Sequence, residues 1–229
     1  MKIDELDIEI IYRERKSICI RIQEDNKIKI LVPNGISDKT IYEVVEKKLN
    51  WIEGKIKRNR QRMLDREVKY GVDGEKYPYL GELYTLKIIL DKKGKNNLRI
   101  EEKEIILNCK DLNKTKYMIE KFYRKLALDL IEERVKIHSE RLKLSYGSVK
   151  VRTQKRRWAS CTYNNDLIFN WKCIMAPLDV IDYIVIHELC HTVHKNHSAK
   201  YWCYVREIMP NYKEKELWLK DNGYKLELF

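Results

Sequence analysis

Four of the five histidines in this 229-residue chain fall between positions 187 and 197. Two of them open and close His187-Glu188-Leu189-Cys190-His191, and His197 follows six residues later. The apolar run Val180-Ile181-Asp182-Tyr183-Ile184-Val185-Ile186 leads into this stretch and predicts a helix. On a helix, residues four apart stand one turn above each other on one face, so His187 and His191 can hold one metal ion. Glu188 is one step further round. From there it can reach a water on that metal without ligating the metal itself. The H-E-x-x-H pattern on a helix is the arrangement of a zinc hydrolase. His197 can close a third corner if the chain turns at Lys195-Asn196. His194, three residues past His191, is the rival third ligand. Wrapping round a tetrahedral ion is easier once the helix has turned, which favours His197. Three protein ligands with an open fourth position describe a catalytic zinc site, one ion per chain, rather than a structural one. Cys190 points away from the histidine face and reads as core.

Several elements must position this helix. Met175-Ala176-Pro177-Leu178-Asp179 is a helix start, with Pro near the first helical position. The predicted helix runs from there to about Val193. Before it, Val149–Thr153 alternates as a strand does. Arg156-Arg157-Trp158-Ala159-Ser160-Cys161 and Leu167-Ile168-Phe169-Asn170-Trp171, joined by a turn at 163–166, read as a hairpin. After His197, Ser198 begins a helix with Tyr201, Trp202, Val205 and Ile208. Pro210-Asn211 interrupts it. A last helix carries Leu217, Trp218 and Leu219, with Gly223 placed as a C-cap glycine.

Further upstream, residues 111–144 change to a helical period, with Ile119, Phe122, Leu126, Leu130 and Ile137 on one face. His138 sits there alone and reads as a partly exposed helix histidine. Residues 8–12, 18–22 and 27–32 alternate as half-buried strands, with a turn at Glu24-Asp25-Asn26. Ser37-Asp38-Lys39-Thr40 opens one long helix whose far end, residues 55–62, is strongly basic. Three more strands are expected at 81–90, 97–100 and 104–107, completing a sheet with the first three. The expected division is a β-rich N-terminal unit with one long helix at 1–110 and a catalytic domain at 111–229. The fold class is α+β.

The bulk properties narrow the setting. No apolar run is long enough to span a membrane, and the N-terminus lacks a signal-peptide layout. A cytoplasmic protein with six free, mostly buried cysteines is the expectation. The net charge of +12 is spread, with +8 in the first 145 residues and +4 in the rest. Diffuse basicity allows a polyanionic partner, nucleic acid included, without establishing one. The sequence does not set the oligomeric state.

From about Val151 to Gly223 the sequence resembles the YgjP-like metal-dependent hydrolases, relatives of the SprT-like metalloproteases. The resemblance rests on Arg157-Trp158-Ala159-Ser160-Cys161, on 167–171, on Ala176–Tyr183, on 187–191, and on Asn196-His197-Ser198 with Trp202. It implies a C-terminal zincin-like catalytic domain, zinc ligands at His187, His191 and His197, and a catalytic glutamate at Glu188. The family usually has glycine where this chain has Ala159. The resemblance also suggests that the 157–161 strand runs past the metal, where Arg156 or Arg157 orients a substrate oxygen and Ser160 offers a hydroxyl. The expected activity is a metallopeptidase acting on peptide or protein substrates. Two alternatives stand beside it. One is a nucleoside triphosphate (UTP) pyrophosphatase, suited to the positive charge but lacking a Gly-rich phosphate loop and a carboxylate cluster for magnesium. The other is a non-enzymatic module that binds nucleic acid or protein and keeps a structural metal.

Overall fold

The structure, a computed structural model, describes residues 2–3, 6–23, 25–65 and 67–229. Its packing divides the chain into two compact units, residues 1–67 and 68–229. The sequence-based division at 110/111 does not coincide with this one. The reason is that Leu86, Ile105, Leu107 and Cys109 share one core with the helices that follow them.

The first unit pairs β1 (Lys2–Ile3), β2 (Leu6–Arg13), β3 (Cys19–Ile22) and β4 (Ile28–Pro33) in the order β1-β2-β4-β3. β2 runs parallel to β4, and β3 antiparallel to it. Glu24 of the expected turn lies outside the described residues; Asn26 takes a left-handed φ of 65°. The period-2 pattern puts Ile8, Ile28, Ile30 and Val32 on one face. They bury against Ile41 and Val45 of α1 (Asp38–Glu46) and Ile52 and Ile56 of α2 (Leu49–Leu64). The single long helix expected from Ser37 is therefore two, parted at Lys47-Lys48. Ser37 caps the first: its hydroxyl accepts the Thr40 N–H at 3.2 Å.

The second unit holds two sheets. In one, β5 (Lys76–Tyr79), β6 (Glu82–Leu90), β7 (Asn97–Glu101) and β8 (Glu104–Cys109) lie in the order β5-β6-β8-β7. These strands form their own sheet and do not complete that of the first unit. In the other, β9 (Val149–Arg152), β10 (Ala159–Cys161) and β11 (Leu167–Asn170) lie in the order β10-β11-β9, which leaves β10 at an edge. Between them runs α3 (Thr115–Leu142). Its fully buried stripe is Ile119, Tyr123, Ala127, Ile131 and Val135. The face expected from Phe122, Leu126, Leu130 and Ile137 is only its flank: the first three are half-buried and Ile137 is exposed. α4 (Leu178–Cys190), α5 (Ala199–Ile208) and α6 (Tyr212–Asn222) complete the unit.

Two contacts seat α4. The two-residue turn between β5 and β6 has positive φ at both Leu80 and Gly81, as a hairpin of this length favours. Its amides donate to Ile174 and Met175 carbonyls, just before Pro177 at the start of α4. A Cβ on Gly81 would lie 2.8 Å from Pro177 Cγ and 3.0 Å from its Cα. Gly81→Ala is expected to lower stability by about 2 kcal/mol, from strained φ and a contact that cannot relax, as read by urea unfolding.

The second contact is between α3 and α4. Arg134 forks onto both carboxylate oxygens of Asp182 at 2.6 and 2.7 Å, and His138 Nε2 lies 3.0 Å from Asp182 Oδ1. His138 is thus buried and partnered, not the partly exposed histidine expected from sequence. Burial alone would raise the Asp182 carboxyl, but hydrogen bonds from His138 and Arg134 outweigh it and hold it below its ordinary value. A depressed carboxyl stabilises the fold above its unfolded pKa, and this contribution is lost as pH falls through the folded one. Asp182→Asn is expected to cost about 2 kcal/mol at pH 7 and to flatten the acid limb of a stability–pH curve.

Among the described residues no helix is long and apolar enough to cross a membrane. The six cysteines are free. Cys109, Cys173 and Cys190 are buried, Cys19 and Cys161 half-buried, and Cys203 exposed.

Candidate metal centre

α4 carries His187 and Glu188 in its last turn and His191 at its C-cap, because the apolar stretch before them buries on nearly every side. Val180, Ile181, Ile184, Val185, Ile186 and Leu189 are almost wholly inaccessible, and so is Cys190, the expected core residue. The helix stops at Cys190 and the chain turns. That turn brings His197 back over the helix end. His197 Nε2 lies 3.1 Å from His187 Nε2 and 3.1 Å from His191 Nε2. Nitrogens held about 2 Å from a tetrahedral zinc stand roughly 3.3 Å apart, so the three donors fit one ion. Among the described residues this is the one His, Cys, Asp and Glu cluster within metal-sharing distance. His194 is outside it. Its backbone carbonyl instead accepts a bond from His191 Nδ1 at 2.9 Å, which leaves the His191 Nε2 lone pair free for the metal side.

Aromatic rings hold the imidazoles in place. Tyr201 is fully buried on α5, stacks on His191 at 4.5 Å and donates its hydroxyl to the His187 carbonyl at 3.1 Å. Trp202 stacks on His197 at 5.5 Å and on Tyr212 at 5.3 Å. From sequence Tyr201 is expected only as an apolar member of a helix, while Trp202 also stands among the residues of the family resemblance beside His197. Their spacing, four and five residues past His197 at the start of a helix, was the available signal. Burial first, then the neighbouring imidazoles, lowers the His187 pKa to about 3, and burial lowers that of His191. Both rings are therefore neutral and able to ligate at physiological pH.

Glu188 is buried, and its Oε2 has no hydrogen-bond partner within the protein. Burial pushes its pKa up to about 8 against the opposing pull of Arg157 and the Cys161 backbone N–H. An unsatisfied carboxylate oxygen in a closed-off wall costs stability, and such groups gather at functional sites. It faces a cleft of about 570 Å³ lined by the three histidines together with Arg157, Ser160, Cys161 and Glu216. Arg157 and Ser160, the two residues expected to meet substrate, thus both border the cleft. β10 forms one wall. Trp158, at its start, packs on Gly223, where an added Cβ would lie 2.8 Å from Trp158 Cζ2. Gly223 is the C-cap of α6, as expected from sequence, but its φ of −56° is right-handed, so the close packing of Trp158 is what calls for glycine there.

The YgjP-like family, metallopeptidase domain, matches residues 16–222, nearly the whole chain. Among curated proteins no match is found. Two solved structures share a local likeness. The metallopeptidase zymogen abylysin of Pyrococcus abyssi is 21% identical with a TM-score of 0.36, over 39% of this chain and 93% of its own. The metallopeptidase zymogen jannalysin of Methanocaldococcus jannaschii is 22% identical with a TM-score of 0.37, over 40% and 95%. With a match of that extent, this chain belongs to the YgjP-like metallopeptidase-domain family, and it is a metal-dependent hydrolase.

Proposed function

We propose that this protein is a zinc metallopeptidase in which His187, His191 and His197 hold the ion and Glu188 is the general base. The observation that carries this reading is the convergence of three imidazole Nε2 atoms beside a buried carboxylate oxygen that no protein group satisfies. The arrangement assigned to residues 68–229 is zincin-like, with the H-E-x-x-H helix under an edge strand. Zinc bound there supplies Lewis acidity and brings the pKa of water toward neutrality. The protein's own part is positional and protolytic. Glu188 takes the proton from the attacking water and delivers it to the nitrogen of the departing amine. Burial of Glu188 keeps competing water away from the proton.

Arg157 and Ser160 contact the substrate in this reading. Arg157 is exposed at the cleft and supplies a guanidinium to a substrate oxygen, and Ser160 supplies a hydroxyl. Arg157→Ala is expected to lower kcat/KM by about 10-fold, the cost of one charge-assisted hydrogen bond, with folding intact by circular dichroism. The reading as a whole is tested by metal content and by turnover of a peptide library and of UTP, with Glu188→Gln as control. Glu188-dependent peptide cleavage supports it. Glu188-dependent hydrolysis of UTP alone replaces it with the pyrophosphatase reading. Stoichiometric metal with neither activity leaves a structural ion.

A further inference from the structure

His197 is the one ligand that helix geometry does not place. It lies on the segment between Cys190 and Ala199, ten residues from His187. Stacking on Trp202 orients its ring, but something must also fix the loop that delivers it. The side chain best placed to do so is two residues away. Lys195 Nζ donates to the Thr162 carbonyl at 3.1 Å and to Asn165 Oδ1, and it lies 3.9 Å from Cys161 Sγ. An ammonium has three donors. Here three acceptors surround it, and all belong to the β10–β11 hairpin.

That hairpin is a firm anchor. Asn165, at a left-handed φ of 61°, donates its amide to the Thr162 carbonyl at 3.1 Å, and its own carbonyl accepts the Gly147 amide at 2.9 Å. The Asp166 amide donates to Thr162 Oγ1 at 3.0 Å, and Asp166 Oδ1 accepts from the Ser148 amide and hydroxyl. On the loop side, the His194 carbonyl accepts from His191 Nδ1, and the Ser198 amide donates to Asn196 Oδ1 at 3.2 Å. The loop is thus pinned to a ligand at 194 and to the hairpin at 195, with the third ligand at 197.

We propose that Lys195 is a positioning residue: it fixes the loop that presents His197 and ties that loop to β10, the wall of the cleft. The link reaches the general base as well. Cys161, one of the three groups around the ammonium, turns its backbone N–H toward Glu188. A single ammonium therefore couples the third ligand to the strand that faces Glu188 and carries Ser160. Lys195 also lines the cleft, which raises the other possibility that it binds substrate. Its donors are already engaged by the hairpin, so positioning is the role its geometry supports. This inference rests on the reading that His187, His191 and His197 hold the metal.

The test is zinc affinity of the full chain, measured by competition with a chromophoric chelator. Lys195→Met is expected to weaken zinc binding by about 10-fold or more, within the range for residues that orient ligands. The chelated variant should melt within about 2 °C of the chelated wild type, because an exposed side chain contributes little to the fold itself. Lys195→Arg should restore most of the affinity, since a guanidinium can reach the same two oxygens. Asn165→Ala removes an acceptor from the other side, and the double variant with Lys195→Met should bind zinc no more weakly than Lys195→Met alone. It also carries the test should Lys195→Met not fold. Wild-type zinc affinity in Lys195→Met, or in Asn165→Ala if only that variant folds, overturns the proposal. If instead His197→Ala binds zinc as the wild type does, the metal assignment fails, and the positioning role falls with it.

Discussion

Glu188→Gln lowers kcat/KM on a cleaved peptide by about 10²- to 10⁴-fold while zinc content stays at the wild-type level. The range is that of a lost general base. The substitution keeps size and burial and removes only the proton-accepting oxygen. The fold should tolerate it better than most buried changes, because the native carboxylate is itself a liability: one oxygen is buried without a partner. The sign of the effect on metal-free protein can be worked out. Burial raises the folded pKa of Glu188 to about 8 from its ordinary 4.5. A raised carboxyl contributes stability that is fully present below its unfolded pKa and is lost as pH rises through the folded one. Chelated wild type should therefore lose stability between about pH 4.5 and pH 8, at up to roughly 1.4 kcal/mol per pH unit. Chelated Glu188→Gln should lack that slope and exceed the wild type at pH 8. Urea melts of the two chelated proteins at pH 5 and pH 8 check this. Parallel curves with the same slope would remove the buried, uncompensated carboxylate from the account.

The second large effect comes from the metal. Chelation is expected to abolish turnover and to lower the melting temperature on the order of 10 °C. A ligand at a thousand times its dissociation constant stabilises by about 4 kcal/mol, and a unit of this size moves roughly 2–4 °C per kcal/mol. The physical source is visible in the site. Three imidazole nitrogens stand 3.1 Å apart in sequence His187–His197–His191, a spacing that suits a shared cation better than it suits one another. His191→Ala should remove both the turnover and the response of the melting temperature to chelator. The buried His191 ring also stacks on Tyr201, so the variant loses some packing as well. The diagnostic is the loss of the chelator shift, not the absolute melting temperature. Differential scanning fluorimetry with and without chelator reads it directly. A full chelator shift in His191→Ala would place the ion elsewhere.

The chemistry of this chain was legible because it is local. Spacing of four on an apolar helix puts His187 and His191 on one face whatever surrounds it, and the alternation of residues 8–12 and 27–32 reports a half-buried strand by itself. Long-range partners were not legible. The three strands β6–β8 look like further members of the first sheet, and only the three-dimensional packing shows that their apolar face belongs with α3 and α4. β5 escaped notice because its turn has Leu80 at positive φ, where Asn or Gly would have announced a hairpin. His138 looked solitary because its partner, Asp182, is 44 residues away on another helix. Gly223 does cap α6, but only the fold shows that Trp158, far upstream, is also what it makes room for. By itself the sequence determined the residue types, the helix that carries them and the family they belong to, since these depend on near neighbours along the chain. Tertiary structure alone decided how His197 reaches the other two histidines, which rings steady them, and how Lys195 ties that loop to the wall of the cleft. The Lys195 contacts join segments 30 or more residues apart, and those among the histidines and rings depend on how the chain turns after Cys190, so no local propensity encodes them.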